Sequence, residues 1–202
     1  MEVEVKLRLR SAAEHQRLTE VLSPYHRRTV LQENLFFDGT NSELASNLAA
    51  LRLRFYDADV RCVLSLKSKP QIAAGISRIE EQEEAIDPVL GRHCAAEPRR
   101  LFGAEFESSD IIRRAREEFD LASEPICLGG FRNVRGIYDW KGLKLEIDET
   151  HYSFGTSYEV ECETSEPEIA KNMLEEMLTN NAVQYRYSSA SKFAAFRAGK
   201  LL

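Results

Sequence analysis

Nowhere in the 202 residues does an apolar run approach the roughly 20 residues that a membrane-spanning helix needs. The first residues also lack the basic start and apolar stretch of a secretory signal, so a cytoplasmic protein is expected. Cysteine is sparse: Cys62, Cys94, Cys127 and Cys162 are scattered without a CxxC pair, which argues against a zinc cluster and fits reduced thiols. The four histidines build no HExxH motif, and no GKS or GKT follows Gly129-Gly130. Neither a zinc hydrolase nor a P-loop enzyme is therefore expected. Positive charge is short as well: 27 Lys and Arg against 33 Asp and Glu leave a net charge of −6, unlike a nucleic-acid surface. No Ser/His or Cys/His constellation suggests a covalent intermediate. Internal repeats, low-complexity segments and linkers are also missing, so a single domain over residues 1–202 is expected. Any metal must be held by carboxylates, which suits magnesium, manganese or calcium.

What is present is alternation. MEVEVKLRLR places Val3, Val5, Leu7 and Leu9 on one strand face and Glu2, Glu4, Lys6, Arg8 and Arg10 on the other. Residues 28–38 read as a strand, and LRLRF (51–55) sets Arg52 and Arg54 together. RCVLSLKSKP (61–70) opposes Cys62, Leu64 and Leu66 to Val63, Ser65, Lys67 and Lys69, and is expected to stop at Pro70. ISRIEEQEEAI (76–86) carries Glu81 and Glu83 on a common face. FRNVRGIYDW and GLKLEIDET form a predicted hairpin with Trp140 packed at its turn, and SYEVECE is a further strand. Helices are expected after Ser11, over 42–49 and 110–119, behind a cap at Ser165-Glu166-Pro167-Glu168, and within SASKFAAFRAGK up to Gly199. The Pro and Gly residues of 88–106 predict loops, and Gly129-Gly130 predicts a turn.

The polar faces of these strands are sorted by sign. Acids gather as Glu2 and Glu4, Glu81 and Glu83, Glu146 and Asp148, and Glu159, Glu161 and Glu163; bases gather as Lys6 and Arg8, Arg52 and Arg54, and Lys67 and Lys69, with Arg135 sharing the face of Asn133. An open antiparallel sheet with helices behind it would simply expose these charges to water. Solvent faces usually mix charges of both signs, however, and like charges side by side on a strand are unfavourable unless a ligand compensates them. A closed barrel of about eight strands would turn the same faces into a lumen that fits a small ligand. Ions removed from water there need partners. A divalent cation for the carboxylates and a phosphate chain for the bases would supply them, which describes a phosphoryl-transfer or phosphohydrolase site.

The ordered set of motifs resembles the CYTH superfamily, the triphosphate tunnel metalloenzymes. It begins with Glu2-x-Glu4-x-Lys6 and continues through Arg52/Arg54 of RLR, Lys67 of SLK, Glu81/Glu83, Arg135 of NVR, Asp148 of LEIDE, the acids of YEVECE and Lys192 of SKF. In length the chain looks most like the short plant members, which hydrolyse inorganic tripolyphosphate. The resemblance implies an α+β fold: an eight-stranded antiparallel closed β-barrel with helices packed outside. It assigns Glu2, Glu4, Asp148, Glu159 and Glu161 to metal, with Glu81, Glu83 and Glu146 completing the acidic lining; which of Glu159, Glu161 and Glu163 reach the ion stays open. Lys6, Arg52, Arg54, Lys67, Arg135 and Lys192 would hold phosphate oxygens, Lys192 touching substrate and not metal. Glu2, Glu4 and Lys6 form the catalytic signature, and Mg²⁺ or Mn²⁺ is the expected cofactor, two ions with substrate bound. A monomer acting on a small polyphosphate, without nucleic acid or membrane, is expected. Thiamine triphosphatase, class IV adenylyl cyclase and a non-catalytic polyphosphate sensor remain alternatives.

Overall fold

The computed structural model describes residues 1–202. In chain order the elements are β1 (Glu2–Leu9), α1 (Ala12–Val21), β2 (His26–Gly39), α2 (Glu43–Ser46), β3 (Ala49–Tyr56), β4 (Arg61–Ala73) and β5 (Ile76–Ile86). They continue as α3 (Pro88–Ala96), α4 (Asp110–Glu118), β6 (Pro125–Trp140), β7 (Leu143–Tyr152), β8 (Gly155–Glu163), α5 (Pro167–Asn180), β9 (Tyr185–Tyr187) and α6 (Lys192–Ala198). The strands hydrogen-bond in the order β5-β4-β3-β2-β6-β7-β8-β1, and β1 returns to pair with β5. Closure is visible where the Lys6 amide donates to the Gly75 carbonyl at 2.7 Å. The result is a closed eight-stranded antiparallel barrel in an α+β fold, with β9 added outside on the far half of β1.

The chain groups into two compact units, residues 1–31, 71–78 and 132–202, and residues 32–70 and 79–131. In the first, Val5, Leu7 and Leu9 of β1, Leu145 and Ile147 of β7 and Val160 of β8 pack with Leu18 of α1 and Leu174 and Leu178 of α5. In the second, Leu51, Leu53 and Phe55 of β3 and Leu64 and Leu66 of β4 pack with Cys94 of α3 and Ile111, Ile112 and Ala115 of α4. The apolar face of each alternating strand is thus covered by helices. Yet the opposite face is also shielded: Glu4, Lys6, Arg8, Arg52, Asp148, Glu159 and Glu161 are all buried. An open, solvated sheet would leave those residues wet, and this burial excludes it.

Several local expectations change. Residues 88–96 are helical, because Asp87 caps the chain by accepting from the Val89 and Leu90 amides and Pro88 occupies the first turn, where its missing N–H costs nothing. Gly91 does not break the helix but lets α3 pack tightly on β3 and β4; a Cβ there would meet Cys62 Sγ at 2.8 Å and Phe55 at 3.0 Å. Pro70 does not end β4. Lys69 adopts φ 52° just before it, a local kink that lets the strand run on to Ala73. Ser165 does not cap α5: Glu166 stands at the N-cap position, no side chain caps the helix, and the Thr164 hydroxyl accepts from the Glu166 amide ahead of it. Trp140 is buried in the core of the first unit rather than confined to a turn.

Gly129 and Gly130 lie inside β6, not in a turn. A Cβ on Gly130 would stand 1.7 Å from the Asn34 carbonyl oxygen, so only glycine permits this approach of β6 to β2. Gly130→Ala should cost about 2 kcal/mol or more of stability, since backbone must move to admit the methyl group. Chemical denaturation measures this, and an unchanged midpoint would mean that the strands can separate freely there.

Candidate functional site

In the first unit, register arranges charge in rows. Across β6, β7, β8 and β1 the order is Arg135, Asp148, Glu159, Arg8, and one step along it is Ile137, Glu146, Glu161, Lys6. The acids occupy the two middle strands, where acid stands opposite acid, and the outer strands bring cations to them: Arg135 opposite Asp148, Arg8 opposite Glu159 and Lys6 opposite Glu161. Arg135 forks onto Asp148, Nε to Oδ1 at 2.8 Å and Nη2 to Oδ2 at 2.6 Å, while Nη2 also reaches Glu161 Oε2 at 2.7 Å and Nη1 bonds Glu146. Lys6 Nζ bridges Glu4 Oε1 at 2.9 Å and Glu161 Oε1 at 2.7 Å. Asn133 Nδ2 donates to Asp148 Oδ1, and Thr150 Oγ1 holds Asn133 in turn.

Lys192, delivered by the first residue of α6, lies at the centre. Ser191 caps this helix by accepting from the Ala194 amide. The Lys192 ammonium stands 2.5 Å from Glu161 Oε1, 2.8 Å from Asp148 Oδ2 and 2.9 Å from Glu159 Oε2. The residue assigned to substrate alone thus touches three of the proposed metal ligands. Burial opposes every charge in this cluster, but the partners prevail. Lys6, Arg135 and Lys192 are held above their ordinary ranges by the surrounding carboxylates, and Asp148, Glu159 and Glu161 below theirs by Lys192, Arg135 and Lys6.

The second unit holds a smaller cluster. Arg52 Nε donates to Ser65 Oγ at 3.1 Å and its Nη2 to Glu81 Oε1 at 3.2 Å, with Glu83 Oε1 at 3.6 Å. Lys67 Nζ lies 2.9 Å from Glu81 Oε2. Arg54 Nε donates to Asn34 Oδ1, a neutral acceptor, at 2.8 Å. Here the balance runs the other way. Burial, and then the neighbouring Arg54 charge, push the Arg52 guanidinium down to about 10, more than Glu81 and Glu83 restore. Arg52, Arg54 and Lys67 against Glu81 and Glu83 leave one positive charge in excess. In the first unit, Lys6, Arg8, Arg135 and Lys192 against Glu4, Glu146, Asp148, Glu159 and Glu161 leave one negative.

The YEVECE acids separate clearly: Glu159 and Glu161 are buried, whereas Glu163 is exposed at the strand end. Glu2 is half-buried at the start of β1, and Glu83 is exposed. Arg8, a further phosphate candidate with a surface ion pair as the alternative, is buried with its Nη2 2.8 Å from Glu159 Oε1, so the ion pair it makes is not at the surface. Its shared parity with Lys6 was the available signal. Ser188, which donates to the same oxygen at 3.0 Å, had none, since it lies beyond β9 and reaches the site only by tertiary packing.

The donor set fits a hard divalent cation: it is all oxygen, and Asp148, Glu159 and Glu161 converge on one point where positive charge already sits. As arranged here, no three carboxylates have the geometry of a metal site, and the Lys192 ammonium lies at the point on which these three converge. Phosphate oxygens likewise fit the fork of Arg52 and the ammonium of Lys67.

The chain matches the CYTH domain over residues 1–196. Among curated proteins nothing matches. A Hippeastrum adenylyl cyclase candidate, HpAC1, described as having a dominant triphosphatase activity, is 55% identical, with a TM-score of 0.96 over 100% of this chain and 98% of that one. An adenylate cyclase candidate from Bacillus halodurans, at 22% identity and TM-score 0.76 over 97% of both chains, shares the fold. So does the Pyrococcus horikoshii protein PH1012, at 18% identity and TM-score 0.58, covering 93% of this chain and 96% of that one. Matched over nearly its whole length and closed into an eight-stranded barrel, this chain belongs to the CYTH domain family.

Proposed function

We propose that this protein hydrolyses inorganic tripolyphosphate to diphosphate and phosphate, with Mg²⁺ or Mn²⁺ held by its carboxylates. The observation that carries the reading is the division of unbalanced charge: a buried Arg52 beside a half-buried Arg54, short of anions, in one unit, and a carboxylate cluster in the other. The dominant triphosphatase activity described for the 55%-identical Hippeastrum protein supports it.

Glu4, Glu146, Asp148, Glu159 and Glu161 would hold the metal, one ion or two. When bound, the metal polarises phosphoryl oxygens and lowers the pKa of water. Arg52, Arg54 and Lys67 bind phosphate oxygens, the guanidinium forks fixing orientation and the ammonium adding charge. Lys6, Arg135 and Lys192 exchange carboxylate partners for phosphate ones as the leaving diphosphate gains charge, and burial strengthens each such contact. Glu4, bonded through Oε1 to Lys6, accepts the proton of the attacking water. The protein acts as a monomer in this reading, which light scattering checks.

Phosphate release from tripolyphosphate, thiamine triphosphate and ATP tests the proposal directly. Tripolyphosphate with Mg²⁺ is expected to be the best substrate, and excess EDTA should abolish turnover. Undiminished rates in EDTA would remove the metal from the mechanism, while equal or faster rates on ATP would overturn the substrate assignment alone.

A further inference from the structure

A second basic feature lies within the unit that carries Lys192. A cavity of about 530 Å³ opens where β1 ends and β8 begins, with Arg8, Arg10, Arg186, Tyr158 and Tyr185 in its wall. The pairing of β9 with β1 sets Arg8 directly opposite Arg186. Two like charges so placed repel unless an acceptor lies between them. Such an acceptor is present: Arg8 Nη1 and Arg186 Nη2 both donate to the Leu202 main-chain oxygen, at 2.5 and 2.8 Å. Arg8 is only 6% exposed, and its Nε and Nη2 are committed to Glu159 Oε1. One guanidinium therefore has one edge in the carboxylate cluster and one N–H in the cavity. Arg10, beside them, donates to Gln184 Oε1 at 2.5 Å.

The single Leu202 oxygen serves only Arg8 and Arg186, whereas a phosphate group offers several charged oxygens and can engage Arg8, Arg186 and Arg10 together. We propose that this cavity is a second phosphate-binding site, in which an orthophosphate or the end of a polyphosphate chain replaces the Leu202 oxygen on Arg8 and Arg186. The choice of phosphate among oxyanions rests on the triphosphatase reading. The site needs no metal: its recognition groups are three arginines. In a chain of net charge −6 it also concentrates polyanions locally at one face.

Calorimetric titration of the metal-free protein with orthophosphate, and separately with tetrapolyphosphate, tests the site. Arg10 and Arg186 are exposed and belong to neither charged cluster, so the double variant R10Q/R186Q should fold, as its melting temperature will verify. Its orthophosphate affinity should fall about tenfold. The variant R28Q/R99Q, which removes two exposed arginines elsewhere, should stay within about twofold of the unsubstituted protein. Weakening by R10Q/R186Q with orthophosphate alone would identify a product exit, and weakening with tetrapolyphosphate as well an extension of the substrate channel; both support the site. Unchanged orthophosphate affinity in R10Q/R186Q, or equal loss in both double variants, overturns it. If the unsubstituted protein binds orthophosphate through Arg186 but does not hydrolyse tripolyphosphate, the cavity stands and the proposed activity fails.

Discussion

Replacing Glu161 with glutamine should cut tripolyphosphate turnover by about two orders of magnitude or more, the scale of other lost electrostatic catalytic groups. Glu161 is the hub of the carboxylate cluster, with Lys6 and Lys192 on Oε1 and Arg135 on Oε2. The amide keeps the shape but cannot neutralise three cations, and its NH₂ group would face donors. Removing an acid from a crowded, unmatched carboxylate set would relieve repulsion and leave stability unchanged or higher. The structure reverses that sign, because each of these acids is already matched by a cation. Glu161→Gln should therefore destabilise the metal-free protein by about 3–5 kcal/mol, as when one partner of a buried ion pair is removed. Steady-state kinetics and urea unfolding in EDTA measure the two effects. Unfolding at the same urea concentration as the unsubstituted protein would show that the cations do not depend on Glu161.

The second large effect belongs to Lys192. Lys192→Met keeps the apolar stem and deletes the ammonium, leaving Asp148, Glu159 and Glu161 converging on one another. Without metal this should cost about 3–5 kcal/mol, because the three buried acids lose a shared cation. Mg²⁺ should then raise the melting temperature of the variant more than that of the unsubstituted chain, where an incoming ion must first displace the ammonium. Tripolyphosphate affinity should weaken at the same time by about 1.5–3 kcal/mol, the scale of a charge-assisted hydrogen bond. Calorimetry with and without Mg²⁺ decides between this dual role and one confined to substrate. Equal Mg²⁺-induced shifts in the two proteins would confine Lys192 to the phosphate.

Much of this was legible in one dimension, because a strand's side chains alternate with a period of two and the chain keeps to that period. From parity alone, Val5, Leu7 and Leu9 face one way and Glu4, Lys6 and Arg8 the other, and this assignment of faces holds in β1, β3, β4, β7 and β8. The motif order from Glu2 to Lys192 likewise indicated the family. Helix α3 was missed although its signal, Asp87 followed by Pro88, was present; Gly91 hid it, since its small size serves packing against Cys62 rather than a turn. Gly130 misled for a related reason: its missing Cβ admits the Asn34 carbonyl, a neighbour 96 positions earlier in the chain.

What parity could not supply was partnership. Whether Glu159 meets another acid or a base depends on which strands lie beside β8, and strand order is fixed by closing the barrel, a property of the whole sheet. Register then set Arg8 and Asp148 on either side of Glu159, and Lys6 and Glu146 on either side of Glu161. Lys192 entered the cluster because α6 brings a residue 31 positions beyond Glu161 to within hydrogen-bonding distance of it. The sequence by itself determined which side chains share a face, since that follows from local backbone geometry. Only the tertiary structure decided that those faces are buried and that each carboxylate of the Asp148, Glu159 and Glu161 group has a cation beside it, because charge compensation in a low-dielectric interior depends on distances across strands and not along them.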